Sequence, residues 1–169
     1  MAAGNTYSQI TGGSVTLATA ASSVTFSSIP ATYTDLVLVC SIKQSTGGAN
    51  VGLQFNNDTA SNYSDTILTG NGSGTASIRN TSSTYIQTYY YGTPNATSFS
   101  PDIINIMNYA NTTTYKTVLI RSGEAGGGLS AIVSLWRSTA AITEIDVNCL
   151  GGQNFAIGST FNLYGIQSA

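Results

Sequence analysis

Apolar and polar residues alternate along this chain in short runs. Between Ser14 and Phe26, Val15 and Leu17, then Val24 and Phe26, recur at every second position, the period that places side chains on one face of a β-strand. Pro30 then interrupts pairing. Asp35–Ile42 reads DLVLVCSI, nearly continuous in apolar residues, as a central strand covered on both faces would be. Val51–Phe55, Tyr63–Leu68, Ser83–Tyr91, Asp102–Asn108, Tyr115–Arg121, Leu129–Arg137, Ile142–Cys149 and Thr160–Ile166 continue the series, each of strand length. Gly-, Asn- and Ser-rich clusters separate them. Gly47-Gly48-Ala49-Asn50 links two apolar runs as a hairpin does, and Gly70-Asn71-Gly72-Ser73-Gly74 contains an Asn-Gly pair that tolerates positive φ. No amphipathic helical period competes, and a propeller's repeat of about 40 residues is absent. The pattern predicts an all-β chain: an antiparallel β-sandwich, jelly-roll-like, with about ten short strands and no substantial helix. Residues 1–13, Gly- and Thr-rich and weakly periodic, read as an N-terminal arm or edge strand, and 14–169 as a single sandwich domain.

Composition narrows the function. Only 7 % of the 169 residues are charged, far below the roughly 25 % of ordinary soluble domains, so hydroxyls and amides must solvate the surface. A net charge of −2 with five Lys and Arg offers no basic face for counterion release, which argues against nucleic acid as a partner. Sparse charge also lowers the desolvation cost of burying a surface, which suits assembly with identical copies or a larger body. The N-terminus MAAGNTYSQITGG lacks the basic-then-apolar order of a secretory signal, and no apolar run approaches the roughly 20 residues needed to cross a bilayer. Neither a membrane nor the secretory route is expected. Asn57, Asn62, Asn71, Asn80, Asn95 and Asn111 each begin Asn-x-Ser/Thr, read here as a by-product of Asn, Ser and Thr richness. Cys40 and Cys149 lie in apolar runs and are expected as buried free thiols, with a disulfide between them as the alternative if their strands are neighbours.

Catalytic templates find little purchase. There is no histidine, which removes Ser-His-Asp and Cys-His arrangements and imidazole metal sites. Of the seven carboxylates, only Glu144 and Asp146 share a face of one predicted strand; they read as a solvated pair rather than glycosidase acids. Asp58, beside Asn56 and Asn57 and followed by Asp65, could offer oxygens to Ca²⁺, but EF-hand spacing is absent and turn capping is the expectation. The 70–74 glycine cluster lacks the Lys-Ser/Thr ending of a phosphate loop, and Gly126-Gly127-Gly128 reads as a flexible loop or a point of close approach by another subunit. The chain is therefore read as non-enzymatic, with no catalytic, cofactor-binding or metal residues. The suggestive chemistry is aromatic. Tyr85, Tyr89 and Tyr91 fall on one face of the expected 83–91 strand, with Tyr90 opposite, giving either core packing or a surface for a protein or glycan. Trp136 is expected in the core.

Four segments, VTFSSIPATYTDLVLV at 24–39, FNNDTASNYSDTILTGNGSG at 55–74, SLWRSTAAITEIDV at 134–147 and STFNLYGI at 159–166, resemble small β-rich virion structural proteins of tailed bacteriophages, especially cyanobacterial and marine phages. The resemblance spans most of the chain and transfers no functional residue. It implies a capsid decoration protein or a tail-fibre module, commonly a homotrimer, located in the virion and assembled in the host cytoplasm. Its partners would be copies of itself, the major capsid protein or other virion proteins, or, for a fibre, a host-surface glycan.

Overall fold

The computed structural model describes residues 6–167, which form twelve strands and no helix. These are β1 (Tyr7–Thr16), β2 (Ser23–Phe26), β3 (Asp35–Ile42), β4 (Val51–Phe55), β5 (Tyr63–Gly70), β6 (Thr75–Ser83), β7 (Ile86–Gln87), β8 (Ser100–Ile106), β9 (Lys116–Glu124), β10 (Gly128–Trp136), β11 (Ile145–Cys149) and β12 (Thr160–Ile166). They make two antiparallel sheets, eight strands in the order β1-β12-β3-β8-β9-β10-β5-β6 and four in the order β2-β11-β4-β7. The all-β sandwich expected from the alternation is thus what the chain forms.

The order is nested. β1 pairs with β12, β2 with β11, β3 with β8 and β4 with β7, all antiparallel. Two hairpins, β5–β6 and β9–β10, are inserted into this nest and widen the large sheet on one side. The expected arm or edge strand at 1–13 is, from Tyr7 onward, the edge strand β1; residues 1–5 lie outside the described residues.

One apolar core lies between the sheets. Leu36, Leu38, Cys40 and Ile42 of β3 meet Val51, Leu53 and Phe55 of β4 and Ile145 and Val147 of β11, all buried. Each large side chain removed from water stabilises by roughly 1.5–3 kcal/mol. At one end Trp136 stacks on Tyr63 with ring centroids 6.4 Å apart and meets Phe55 edge-on at 5.5 Å. Their polar handles are satisfied: the Tyr63 hydroxyl donates to Asp58 O at 3.0 Å and accepts from Phe55 N, while Trp136 Nε1–H donates to Asp58 Oδ2 at 2.7 Å.

Asparagine supplies much of the turn chemistry. Asn71, Asn95 and Asn111 each accept, through Oδ1, the backbone N–H groups two and three residues ahead. This closes a local turn that uses the same Asn-x-Ser/Thr spacing as a glycosylation acceptor.

Three expectations need correction. The 14–26 run is two strands, β1 and β2, in different sheets. β6 was not expected, because TASIRNTSS holds one large apolar residue; it is an edge strand with an exposed flank, so little of it needs to be apolar. DLVLVCSI has no second sheet over its outer side, where Val37 is nonetheless buried and Val39 half-buried.

Candidate interaction face

The outer face of the large sheet is built in rows by strand register. One row runs Arg79 (β6), Thr66 (β5), Val133 (β10), Leu119 (β9), Asn105 (β8), Val37 (β3), Tyr164 (β12) and Gln9 (β1). The next runs Ser77, Leu68, Ala131, Arg121, Ile103, Val39, Asn162 and Ser14 across the same strands. Because alternate residues point to opposite faces, these side chains turn away from the core. On the inserted hairpins they lie bare: Leu129 is 64 %, Leu68 62 %, Val133 50 % and Leu119 43 % exposed. Shallow grooves of about 640 Å³ and 620 Å³ run beside them, and Arg121 lines both.

The charges on this face are two exposed arginines, Arg79 and Arg121, and among the described residues neither has a hydrogen bond or ion pair. The carboxylates at its margins are engaged. Asp35, at the start of β3, accepts Asn108 N at 2.7 Å. Glu124, in the β9–β10 turn, accepts Ser98 Oγ at 2.9 Å and Gly126 N at 3.0 Å; those contacts, the Gly126 amide first, hold its pKa below the usual range.

The core face of the same strands carries a polar row: Thr69, Ser130, Ser122, Asp102 and Cys40 lie opposite one another in register across β5, β10, β9, β8 and β3. The 88–90 segment roofs it, Thr88 O accepting from the Ser122 hydroxyl and Tyr90 N donating to Ser130 Oγ at 3.3 Å. Asp102 is fully buried, and neither of its oxygens has a hydrogen-bond partner. Burial pushes its pKa well above the ordinary carboxylate value, with the nearby Thr88 hydroxyl offsetting part of the shift. Burial likewise raises Asp65, whose Oδ2 accepts Gln87 N at 3.2 Å and whose Oδ1 is unpartnered.

The tyrosines do not share the single strand face expected of them. Strand pairing in that region is confined to Ile86–Gln87, so the period-two argument fails beyond it. Tyr89 is buried, its hydroxyl donating to Pro101 O at 3.2 Å. Tyr85 lies half-buried over Gly52, and Tyr91 meets Tyr90 edge-on at 5.3 Å. Glu144 accepts from Asn57 Nδ2 and Asp146 from Thr25 Oγ1 at 2.6 Å, so each carboxylate is tied to a different neighbour. Asp58 works as a turn cap, accepting Ala60 N at 2.9 Å and Asn62 Nδ2 at 2.8 Å. The 70–74 cluster is the β5–β6 hairpin turn, closed by Asn71 N to Gly74 O at 3.1 Å. Gly127 and Gly128 lie close against the chain's own Gly92. Cys40 and Cys149 are both free and buried, on strands of different sheets.

No family model, curated protein or solved structure matches the chain. The outer face was not singled out from sequence. Its signal was present: TVLI at 117–120 and AIVSLW at 131–136 are apolar at both parities, which reads equally as burial on both faces or as one face left for a partner.

Proposed function

We propose that this chain is a non-enzymatic phage virion structural protein, a capsid decoration protein that oligomerises, as a homotrimer, and binds the capsid shell. The observation that carries the reading is the bare apolar surface of β5, β10 and β9. Leu68, Leu119, Leu129 and Val133 stand in neighbouring rows of one sheet, and a contiguous exposed apolar patch of this kind marks a surface that another protein covers. The rest of the surface, poor in charge and rich in hydroxyls and amides, is cheap to desolvate.

Two further features support the setting. With the inserted hairpins set aside, the nested pairing of eight strands in two four-stranded halves is the order of a rolled-up hairpin, which favours the jelly-roll reading, an architecture frequent among viral capsid domains. Fold by itself does not assign function. The resemblance of residues 24–39, 55–74, 134–147 and 159–166 to phage virion proteins supplies the particle. The fibre alternative leaned on a shared face of Tyr85, Tyr89 and Tyr91, and the burial of Tyr89 removes its central member.

Quantitative mass spectrometry of purified particles tests the proposal. A decoration protein is present in many copies, on the order of the number of capsomer junctions, because the shell repeats one interface by symmetry. A handful of copies per particle, or copies confined to the tail, overturns it.

A further inference from the structure

We infer that the outer face of the large sheet docks on a different protein and not on a second copy of this chain, and that the partner surface is apolar with carboxylates placed for Arg79 and Arg121. The inference rests on the virion reading above and names the chemistry of the shell surface that the decoration protein grips.

The argument is one of charge complementarity. Arg79 and Arg121 stand on β6 and β9, three strands apart, about 15 Å at the usual strand spacing. Between and beside them lie Leu68, Leu119, Ala131, Val133 and Ile103, with no outward carboxylate on β5, β6, β8, β9 or β10 short of the Glu124 turn. Covering the apolar side chains therefore desolvates both guanidinium groups. A buried, unpaired charge costs several kcal/mol, so the cover must supply anions. Arginine's planar fork suits carboxylates well.

The same face of a second copy carries no carboxylate within the patch to supply them. In a two-fold dimer a patch meets itself, and this patch would bring arginines against leucines, valines or arginines. The acids Asp35 and Glu124 stand at its margins and already accept hydrogen bonds, Asp35 from Asn108 N and Glu124 from Ser98 Oγ and Gly126 N. Head-to-tail stacking onto the small sheet would offer Asp146 and Glu144, each already accepting a hydrogen bond at one oxygen, from Thr25 and Asn57, and crosslinking distinguishes that arrangement. On this inference, contacts within a homotrimer use other surfaces, which leaves this face for the shell.

Zero-length crosslinking reads the partner directly. Arg79→Lys and Arg121→Lys keep the charge and introduce a primary amine that carbodiimide joins to any carboxylate in contact. In virions carrying either variant, the expected links run from the introduced amine to Asp or Glu of the shell subunit. Links to another copy of this chain, at Asp35, Glu124, Glu144, Asp146 or elsewhere, overturn the inference. The double reversal Arg79→Glu/Arg121→Glu is expected to weaken shell binding at least about tenfold. Its thermal midpoint should equal the parent's, since neither side chain has a hydrogen bond or ion pair among the described residues. Unchanged occupancy overturns the inference while leaving the virion reading intact. Absence of the unsubstituted chain from particles defeats the virion reading itself.

Discussion

Asp102 on β8 lies directly opposite Ser122 on β9 in the core, and while the Ser122 hydroxyl donates to Thr88 O, the Asp102 carboxyl has no partner at either oxygen. The titratable groups that face it, Cys40 from β3 and Tyr89 from the roof, are themselves acids; burial first, then the negative charge of Asp102, raises both. Among the described residues no cation faces the carboxylate, so burial favours its protonated form. Its folded pKa exceeds the unfolded value of about 3.9, so the unfolded chain binds fewer protons between the two values and stability falls as pH rises. The contribution is complete below about pH 4 and declines above it by up to about 1.4 kcal/mol per pH unit until the folded pKa is passed. Urea midpoints across pH 4–8 should show this decline for the parent, and Asp102→Asn should remove most of it.

Trp136 and Asp58 give the opposite sign. Burial raises the Asp58 pKa, but hydrogen bonds from Asn62, Trp136 and Ala60 outweigh it and leave the value below the ordinary one. Its contribution is present above about pH 4 and is lost as pH falls through the folded pKa. Asp58→Ala strands the Trp136 N–H and opens the 58–62 turn, and should destabilise by about 1–3 kcal/mol with a shift in tryptophan emission. Asp58→Asn, which keeps one acceptor oxygen but neither the second nor the charge, should fall between.

Cys40 and Cys149 should be silent toward thiol reagents in the folded chain. Burial raises Cys149 to about 11 and Cys40 well above its ordinary value, so neither offers thiolate at neutral pH. Ellman's reagent is expected to report no fast thiol in native buffer and two in denaturant, with no change in midpoint on adding reductant.

Gly92 and Gly72 separate close packing from backbone strain. Both have positive φ, 66° and 85°, so alanine pays a similar conformational cost of about 1–2 kcal/mol at each. At Gly72 the added methyl meets open space; at Gly92 it would collide with the Gly128 carbonyl oxygen and come within 2.8 Å of Glu124 N. Gly92→Ala should therefore cost about 1–3 kcal/mol more than Gly72→Ala in thermal or urea unfolding.

Strand periodicity made the interior legible. The runs 35–42, 51–55 and 160–166 are strands with those bounds, because apolar side chains at alternate positions leave one way to face a core. What stayed hidden was sheet order and what lies beyond it. β6 carries too few apolar residues to announce itself, and Tyr85, Tyr89 and Tyr91 do not share a face because strand pairing stops at Gln87. In β9 and β10, Leu119 and Val133 sit between core residues, and alternation cannot say whether the second face is covered.

The central claim is that the outer face of β5, β10 and β9 is an attachment surface on a phage shell. The most direct measurement is a cryo-electron microscopy reconstruction of the intact particle at a resolution that places strands. The expected result is a copy at each repeated shell site, with shell density packed over Leu68, Leu119 and Val133. A chain located only in the tail, or one on the shell with that face open to solvent, would contradict the account.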